Sequence, residues 1–210
     1  MIIAIDGPAG AGKGTLSKKL ADYYGFAKLD TGLLYRAVAM KVLCLKGNPD
    51  DEALATAQAK KLRLSDINPD ALRTEEIGEA ASKVSVFPKV RSYLLDFQRN
   101  FATCPPNNAS GAILDGRDIG SVVCPHADIK LYITASSEVR AERRYKELLS
   151  KNNAISFDKI LQDIERRDAR DIGRDTAPLL ATQDACKIDT SDMDVDTVFK
   201  TVLDFISTKA

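Results

Sequence analysis

The first two dozen residues constrain the fold most. Met1 to Asp6 is an apolar run that ends in a carboxylate and reads as a short buried strand. Gly7-Pro8-Ala9-Gly10-Ala11-Gly12 follows as a glycine-rich turn. Lys13 to Tyr24 then has helical spacing, with Leu16, Leu20 and Tyr23/Tyr24 on one side and Gly25 as a stop. In this order, strand, glycine loop and helix make a phosphate cradle. Glycines let backbone N–H groups approach a polyphosphate closely, and the helix N-terminus adds partial positive charge. Lys13 supplies a point charge for the β- and γ-phosphates, and Thr15 is placed to assist Mg²⁺, directly or through water. In the general motif Ser or Thr follows the Lys at once, whereas here Gly14 intervenes. The alternative is an ordinary glycine-rich turn. Three glycines, Lys and Thr between a strand and a helix outweigh it.

Further along, Phe26 to Leu29 reads as a second strand and Thr31 to Leu45 as a helix carrying Leu34, Val38 and Val42. Asp30 is placed to cap that helix. Residues 50 to 90 are polar, helical in propensity and broken at Asn68-Pro69, as expected of an insertion without its own core. Pro88 opens a helix with Val90, Leu94 and Phe101 on its inner face. Pro105 to Gly111 is a loop, Ala112 to Leu114 a strand ending in Asp115, and Ile129 to Thr134 another strand. Ser136 to Leu149 reads as a helix, Lys151-Asn152-Asn153 as a loop tip and Phe157 to about Ile172 as a helix. Cys186 to Ile188 is a last strand and Val195 to Ile206 a last helix. Short apolar strands alternating with helices predict an α/β fold, a parallel sheet covered on both faces. Ligands in such sheets bind at the carboxyl ends of strands. That singles out Gly7–Thr15, Asp30–Arg36 and Asp115–Asp118.

At 210 residues the chain fits one domain with insertions. Its 30 Lys+Arg balance 30 Asp+Glu, which speaks against a duplex nucleic-acid partner. No apolar run is long enough for a membrane span, and the first one meets Asp6 too soon for a signal peptide. The four cysteines are scattered without a Cys-x-x-Cys pair, so a reducing, cytoplasmic setting with thiols as small core residues is expected.

Arginine is unevenly placed. Of 13 Arg, seven lie between Arg140 and Arg174, against three of 17 Lys. Arginine suits bidentate phosphate recognition, so a phosphate-handling lid is one reading. The other is a solvated face laced with ion pairs such as Asp163 with Arg167. Arg140, Arg144 and Arg166 stay open between the two. Arg167, Arg170, Asp171 and Arg174 lie at i, i+3, i+4 and i+7, one continuous helix face. Four charged groups at that spacing suggest a ligand surface. The sole histidine, His126, follows Cys124-Pro125 in a turn and carries no expected catalytic role.

Several segments together resemble one family. They are Gly7 to Thr15, Leu29-Asp30-Thr31-Gly32-Leu33-Leu34-Tyr35-Arg36 and Asp115-Gly116-Arg117-Asp118-Ile119-Gly120. To these add Arg166-Arg167-Asp168-Ala169-Arg170-Asp171, Arg174 and Ala177-Pro178-Leu179. From residue 2 to about 190 the chain is similar to bacterial-type cytidylate kinases, nucleoside monophosphate kinases with a phosphate loop. The resemblance implies transfer of the γ-phosphoryl group of ATP to CMP and dCMP with Mg²⁺. It implies a core of residues 1–49, 88–139 and 175–210, an acceptor-binding insertion at about 50–87 and a helical lid at about 140–174. Gly7, Pro8, Ala9, Gly10, Ala11, Gly12, Lys13, Gly14, Thr15 and Arg143 would hold ATP, Arg143 near the adenine. Lys13, Asp115, Arg117 and Arg174 would be catalytic, with Thr15 and Asp115 at the metal. Arg36, Arg117 and Arg174 would clamp the acceptor phosphate. Ser82, Arg91 and Asp118 would read the base, Arg167 and Asp171 would hold the sugar, and Thr31 would join the acceptor site.

The base chemistry agrees. Cytosine offers an N4 amino donor with N3 and O2 as acceptors, so Ser82 and Asp118 accept while Arg91 donates. Family members often carry a longer insertion than the short Leu62 to Asp70 segment here. The rival readings are a kinase of the same fold acting on UMP, AMP or shikimate, and a nucleotide-binding switch. Guanine-specific switches use an Asn/Thr-Lys-x-Asp segment, absent here. Single-strand nucleic-acid binding lacks interleaved aromatics. A monomer is expected.

Overall fold

The computed structural model describes residues 1–63, 66–149 and 156–209. Strands β1 (Ile2–Asp6), β2 (Ala27–Asp30), β3 (Ala112–Gly116), β4 (Ile129–Thr134) and β5 (Cys186–Asp189) form one sheet in the order β2-β3-β1-β4-β5. Every pairing is parallel, with Ile3 opposite Ile113 and Ile129. Parallel neighbours need crossovers, and helices supply them. On one face α1 (Lys13–Tyr24) and α9 (Val195–Ser207) bring Leu16, Leu20, Val198, Val202 and Ile206 onto Ile3, Ile5, Ile113, Leu131 and Ile133. On the other, α6 (Pro88–Thr103) and a π-helical turn (Ile119–Val123) cover Ala4, Ala112 and Leu114. The strand residues alternate between these faces, and both are apolar, as a doubly covered sheet requires.

α2 (Gly32–Cys44) continues from β2, and α3 (Glu52–Lys60), α4 (Pro69–Leu72) and α5 (Glu75–Val84) follow. Among the described residues, the segment from α3 to α5 has no core of its own. Ala55, Ala59, Ala80, Ala81 and Val84 pack with Leu34, Val38 and Val42 of α2 and Val90 and Leu94 of α6. Its helices start on side-chain caps: Asp51, Asn68 and Thr74 each accept a backbone N–H. α7 (Ser137–Leu149) and α8 (Phe157–Gly173) pair through Ala141, Leu148, Ile160 and Ile164.

Several expectations need correction. Asp30 does not cap α2; its carboxylate turns to Arg73 at 3.4 Å. Asp163 pairs with Arg166 at 2.9 Å, rather than with Arg167. Cys44 and Cys104 are exposed, so only Cys124 is a buried thiol and Cys186 a half-buried one. Arg174 is not part of the helix face. α8 ends at Gly173, and Arg174 turns into extended backbone, with its Nε donating to Ala177 O at 2.6 Å. The Lys151-Asn152-Asn153 tip lies outside the described residues, as do Leu64 and Ser65. No helix among the described residues is long and apolar enough to cross a membrane.

Candidate active site

The three strand-end segments converge on one cavity of about 570 Å³. At one end lies the loop between β1 and α1. Gly7 has φ +145°, and a Cβ there would meet Ile133 O at 1.9 Å, so only glycine lets the loop turn past β4. Gly10, at φ +80°, packs against the Arg140 stem. Lys13 is buried, and its Nζ donates to Pro8 O at 2.7 Å. Burial first, then the Arg117 cation, pushes its pKa down to about 7. An ammonium held this way gains most from a polyanion arriving beside it.

At the floor, Asp115, the penultimate residue of β3, lies next to Asp30 at the end of β2. Burial and the Asp30 carboxylate raise the Asp115 pKa, while Ser17 Oγ donates to Asp115 Oδ2 at 2.6 Å. Thr31 is buried and its Oγ1 donates to Asp115 O at 2.8 Å, locking the start of α2 to β3. The Asp115 carboxylate and the exposed Thr15 hydroxyl are hard oxygen donors on the same cavity. Among the described residues no cluster of three or more His, Cys, Asp or Glu could hold a metal by itself. That donor set fits Mg²⁺, which binds through one or two carboxylates plus substrate phosphates and water.

The middle of the cavity is cationic. Arg117 Nε meets Asp171 Oδ2 at 2.9 Å, and its Nη1 donates to Gly116 O. Burial works against the Arg117 cation, but Asp171 more than compensates and raises its pKa. Arg167 has no such close partner; Asp171 lies 4.0 Å from its Nε. Burial and Arg117 drive its pKa down to about 10. Arg167 Nε and Arg174 Nη2 are buried without a hydrogen-bond partner. Unpaired buried donors are costly, so both mark places where an acceptor is wanted. Arg36 enters from α2 with Nη1 on Leu72 O at 2.8 Å and Thr74 O at 3.1 Å.

The far end is a buried polar wall. Arg91 Nη2 and Asp118 Oδ2 are 2.5 Å apart, and Arg91 Nη1 donates to Ser85 O. The Arg91 guanidinium lies over the Tyr35 ring at 5.4 Å. Ser82, on α5, is 2 % exposed, and its Oγ accepts from Arg170 Nη1 at 2.7 Å.

Lys13, Thr15, Thr31, Arg36, Ser82, Arg91, Asp115, Arg117, Asp118, Arg167, Asp171 and Arg174 thus line one space. Arg143 does not line it. Its fork holds Thr190 at the end of β5, through Oγ1 and the carbonyl, and Thr190 Oγ1 in turn donates to Ala11 O of the glycine loop. Arg170 points away to α5. His126 is exposed in its turn.

Two residues have roles that the sequence does not indicate. Asp6 accepts from the backbone N–H groups of Ile119 and Gly120, each at 2.7 Å, and burial raises its pKa to about 6. It ties the strand that feeds the glycine loop to the loop that carries Arg117 and Asp118. Arg140 is 5 % exposed and binds Ala135 O at 2.9 Å, Ala9 O at 3.2 Å and Asp168 at 2.6 Å. It straps the glycine loop to α8. Asp6 offers one sequence signal, a carboxylate at the end of an apolar strand. Arg140 offers none beyond its composition.

A family model described as cytidylate kinase matches residues 3–208. A cytidylate kinase of Paramagnetospirillum magneticum is 53% identical over 208 residues, covering 99% of this chain and 98% of its own. A cytidylate kinase of Rhodospirillum rubrum is 50% identical over 210 residues, covering 100% and 99%. Among solved structures, an uncharacterized protein from Eubacterium ventriosum superposes with a TM-score of 0.57 at 15% identity, covering 99% of this chain and 98% of that one. At that identity the likeness concerns the fold alone.

Proposed function

The chain belongs to the cytidylate kinase family, and from that premise we propose that it moves the γ-phosphoryl group of ATP onto CMP and dCMP, giving ADP and the cytidine diphosphates. One observation carries the reading: a single cavity joins the glycine loop to the Arg91–Asp118 wall through Arg117, Arg167 and Arg174. A nucleoside triphosphate and a monophosphate placed head to head fit that layout.

The glycine loop and Lys13 hold the β- and γ-phosphates. Arg36, Arg117 and Arg174 hold the acceptor phosphate, and the unpaired Nη2 of Arg174 has an oxygen to meet there. Asp171 and Arg167 take the sugar. Arg143, set beside the glycine loop through Thr190, borders the adenine side. Thr15 and Asp115 would hold Mg²⁺ through water, and the ion supplies charge neutralisation on the transferring group. The acceptor phosphate is already an anion at neutral pH, so no general base is needed. Catalysis is positioning plus charge stabilisation by preset cations. Closure of α7 and α8 keeps water from taking the phosphoryl group.

Base choice follows from the far wall. Arg91 donates to cytosine N3 and O2. Asp118 accepts from N4, because a carboxylate offers about four lone-pair sites and Arg91 leaves room for another donor. Uracil would turn its O4 acceptor on that carboxylate. A monomer working in the cytoplasm completes the reading.

An ADP-release assay run with CMP, dCMP, UMP and AMP tests it. The expected order is CMP and dCMP well ahead of UMP, with AMP inert. A preference for UMP or AMP, or nucleotide binding with no acceptor turned over, refutes it.

A further inference from the structure

Arg170 sits on α8, outside the cavity lining and without a role in the chemistry above. Its guanidinium crosses to α5. Nη1 donates to Ser82 Oγ at 2.7 Å and Nη2 donates to Glu79 Oε1 at 2.9 Å. Glu79 and Ser82 are three apart on one helix, so they share a face, and one planar fork spans them. The surroundings are ionic as well. Arg166 reaches Glu79 at 3.8 Å, and Arg144 of α7 pairs with Glu75 at the start of α5.

We propose that Arg170 is a positioning residue through which the lid helix α8 sets the Ser82 hydroxyl that reads the base. This rests on the CMP kinase reading of the site. A guanidinium has donors and no acceptor, so it takes a lone pair of Ser82 Oγ and never the reverse. With α8 docked, the oxygen is fixed against α5 with one lone pair and its proton left for other partners. With α8 away, the hydroxyl turns freely. Glu79 holds the fork flat and keeps its charge partly neutralised; Arg170 and Arg166 together hold the Glu79 carboxyl below its usual range against the opposing effect of burial. Closing the lid and reading the acceptor thereby become one event.

A double-mutant cycle tests this. Arg170→Met should lower kcat/KM for CMP about tenfold, the size expected for one hydrogen bond to a charged group. In a Ser82→Ala background the same change should cost less than twofold, because the atom it positions is gone. KM for ATP should not move. Arg170→Lys should fail to restore the loss, since one ammonium cannot span both partners. Glu79→Gln, a milder change should Arg170→Met not fold, should lower kcat/KM for CMP about threefold, and only when Ser82 is present. Equal losses in both backgrounds, a matching rise in KM for ATP, or full rescue by Lys overturns the proposal. Wild-type enzyme without CMP activity overturns the reading beneath it, and is seen before any variant is made.

Discussion

Lys13→Met separates what the nucleotide-free fold wants from what the chemistry wants. The wild-type amine has its pKa pushed from 10.5 to about 7 by burial and by Arg117. The unfolded chain therefore binds the proton more tightly than the fold does between these two values. Stability rises with pH across that window, and the full penalty applies below it. At pH 7.5 the gap is on the order of a few kcal/mol against folding of the enzyme without nucleotide. Met keeps the apolar stem and removes the titrating amine. It also strips Pro8 O of its donor, which returns about 1–2 kcal/mol. A net gain of about 2–3 kcal/mol raises the melting temperature of a chain this size by roughly 5–10 °C. The assay is thermal unfolding of both proteins without nucleotide from pH 7 to pH 10. The variant should melt higher at pH 7.5, and its advantage should shrink as pH rises. Phosphoryl transfer should fall by roughly 10³-fold or more, as a preset cation facing the transferring group is lost. A variant that melts lower at pH 7.5, or an advantage that does not change with pH, refutes the reasoning.

Other expectations follow from neighbouring contacts. Asp118→Asn keeps the shape but removes the charge beside Arg91; the CMP/UMP ratio of kcat/KM should drop roughly 10- to 100-fold, and a parallel fall for both substrates would place Asp118 outside base reading. Arg117→Lys loses the fork on Asp171 and Gly116 while keeping the charge, and kcat/KM for CMP should still fall by about tenfold or more; an unchanged value removes Arg117 from the clamp. Asp6→Asn replaces one of two acceptors with a donor facing an N–H, so the melting temperature should fall by the equivalent of about 1–3 kcal/mol, with kcat/KM for CMP falling alongside; an unchanged melting curve would mean the two backbone bonds carry no load.

The sheet and the donor loop were legible because their chemistry is contiguous. A strand, three glycines, Lys13 and Thr15 occupy one stretch, and each strand end delivers its polar residues at once. The parts that were hidden depend on partners far apart in the chain. Nothing near Asp6 announces the N–H groups of Ile119 and Gly120, and nothing near Ser82 announces Arg170. Arg174 was misread for a local reason. The i+7 spacing assumes a helix that continues, whereas Gly173 ends it and Ala177 takes a left-handed φ of 51°. From the sequence Arg140 stays open between a phosphate-handling lid and a solvated, ion-paired face, yet it is a buried strap, a distinction made by burial and not by residue type.

The strand order has a consequence for how the chain acquires its shape. β1 pairs with no strand close in sequence: Ile2 lies beside Ala112, and Ile3 beside Ile129. β2 likewise waits for β3, with Ala27 against Ala112. The glycine loop has no sheet to stand on until β3, far along the chain, can pair with β1. Such long-range pairing slows folding and leaves apolar strands exposed meanwhile. β1 and β2 are thus the strands that wait longest for a partner, and a truncation before β4 leaves β1 with one edge bare.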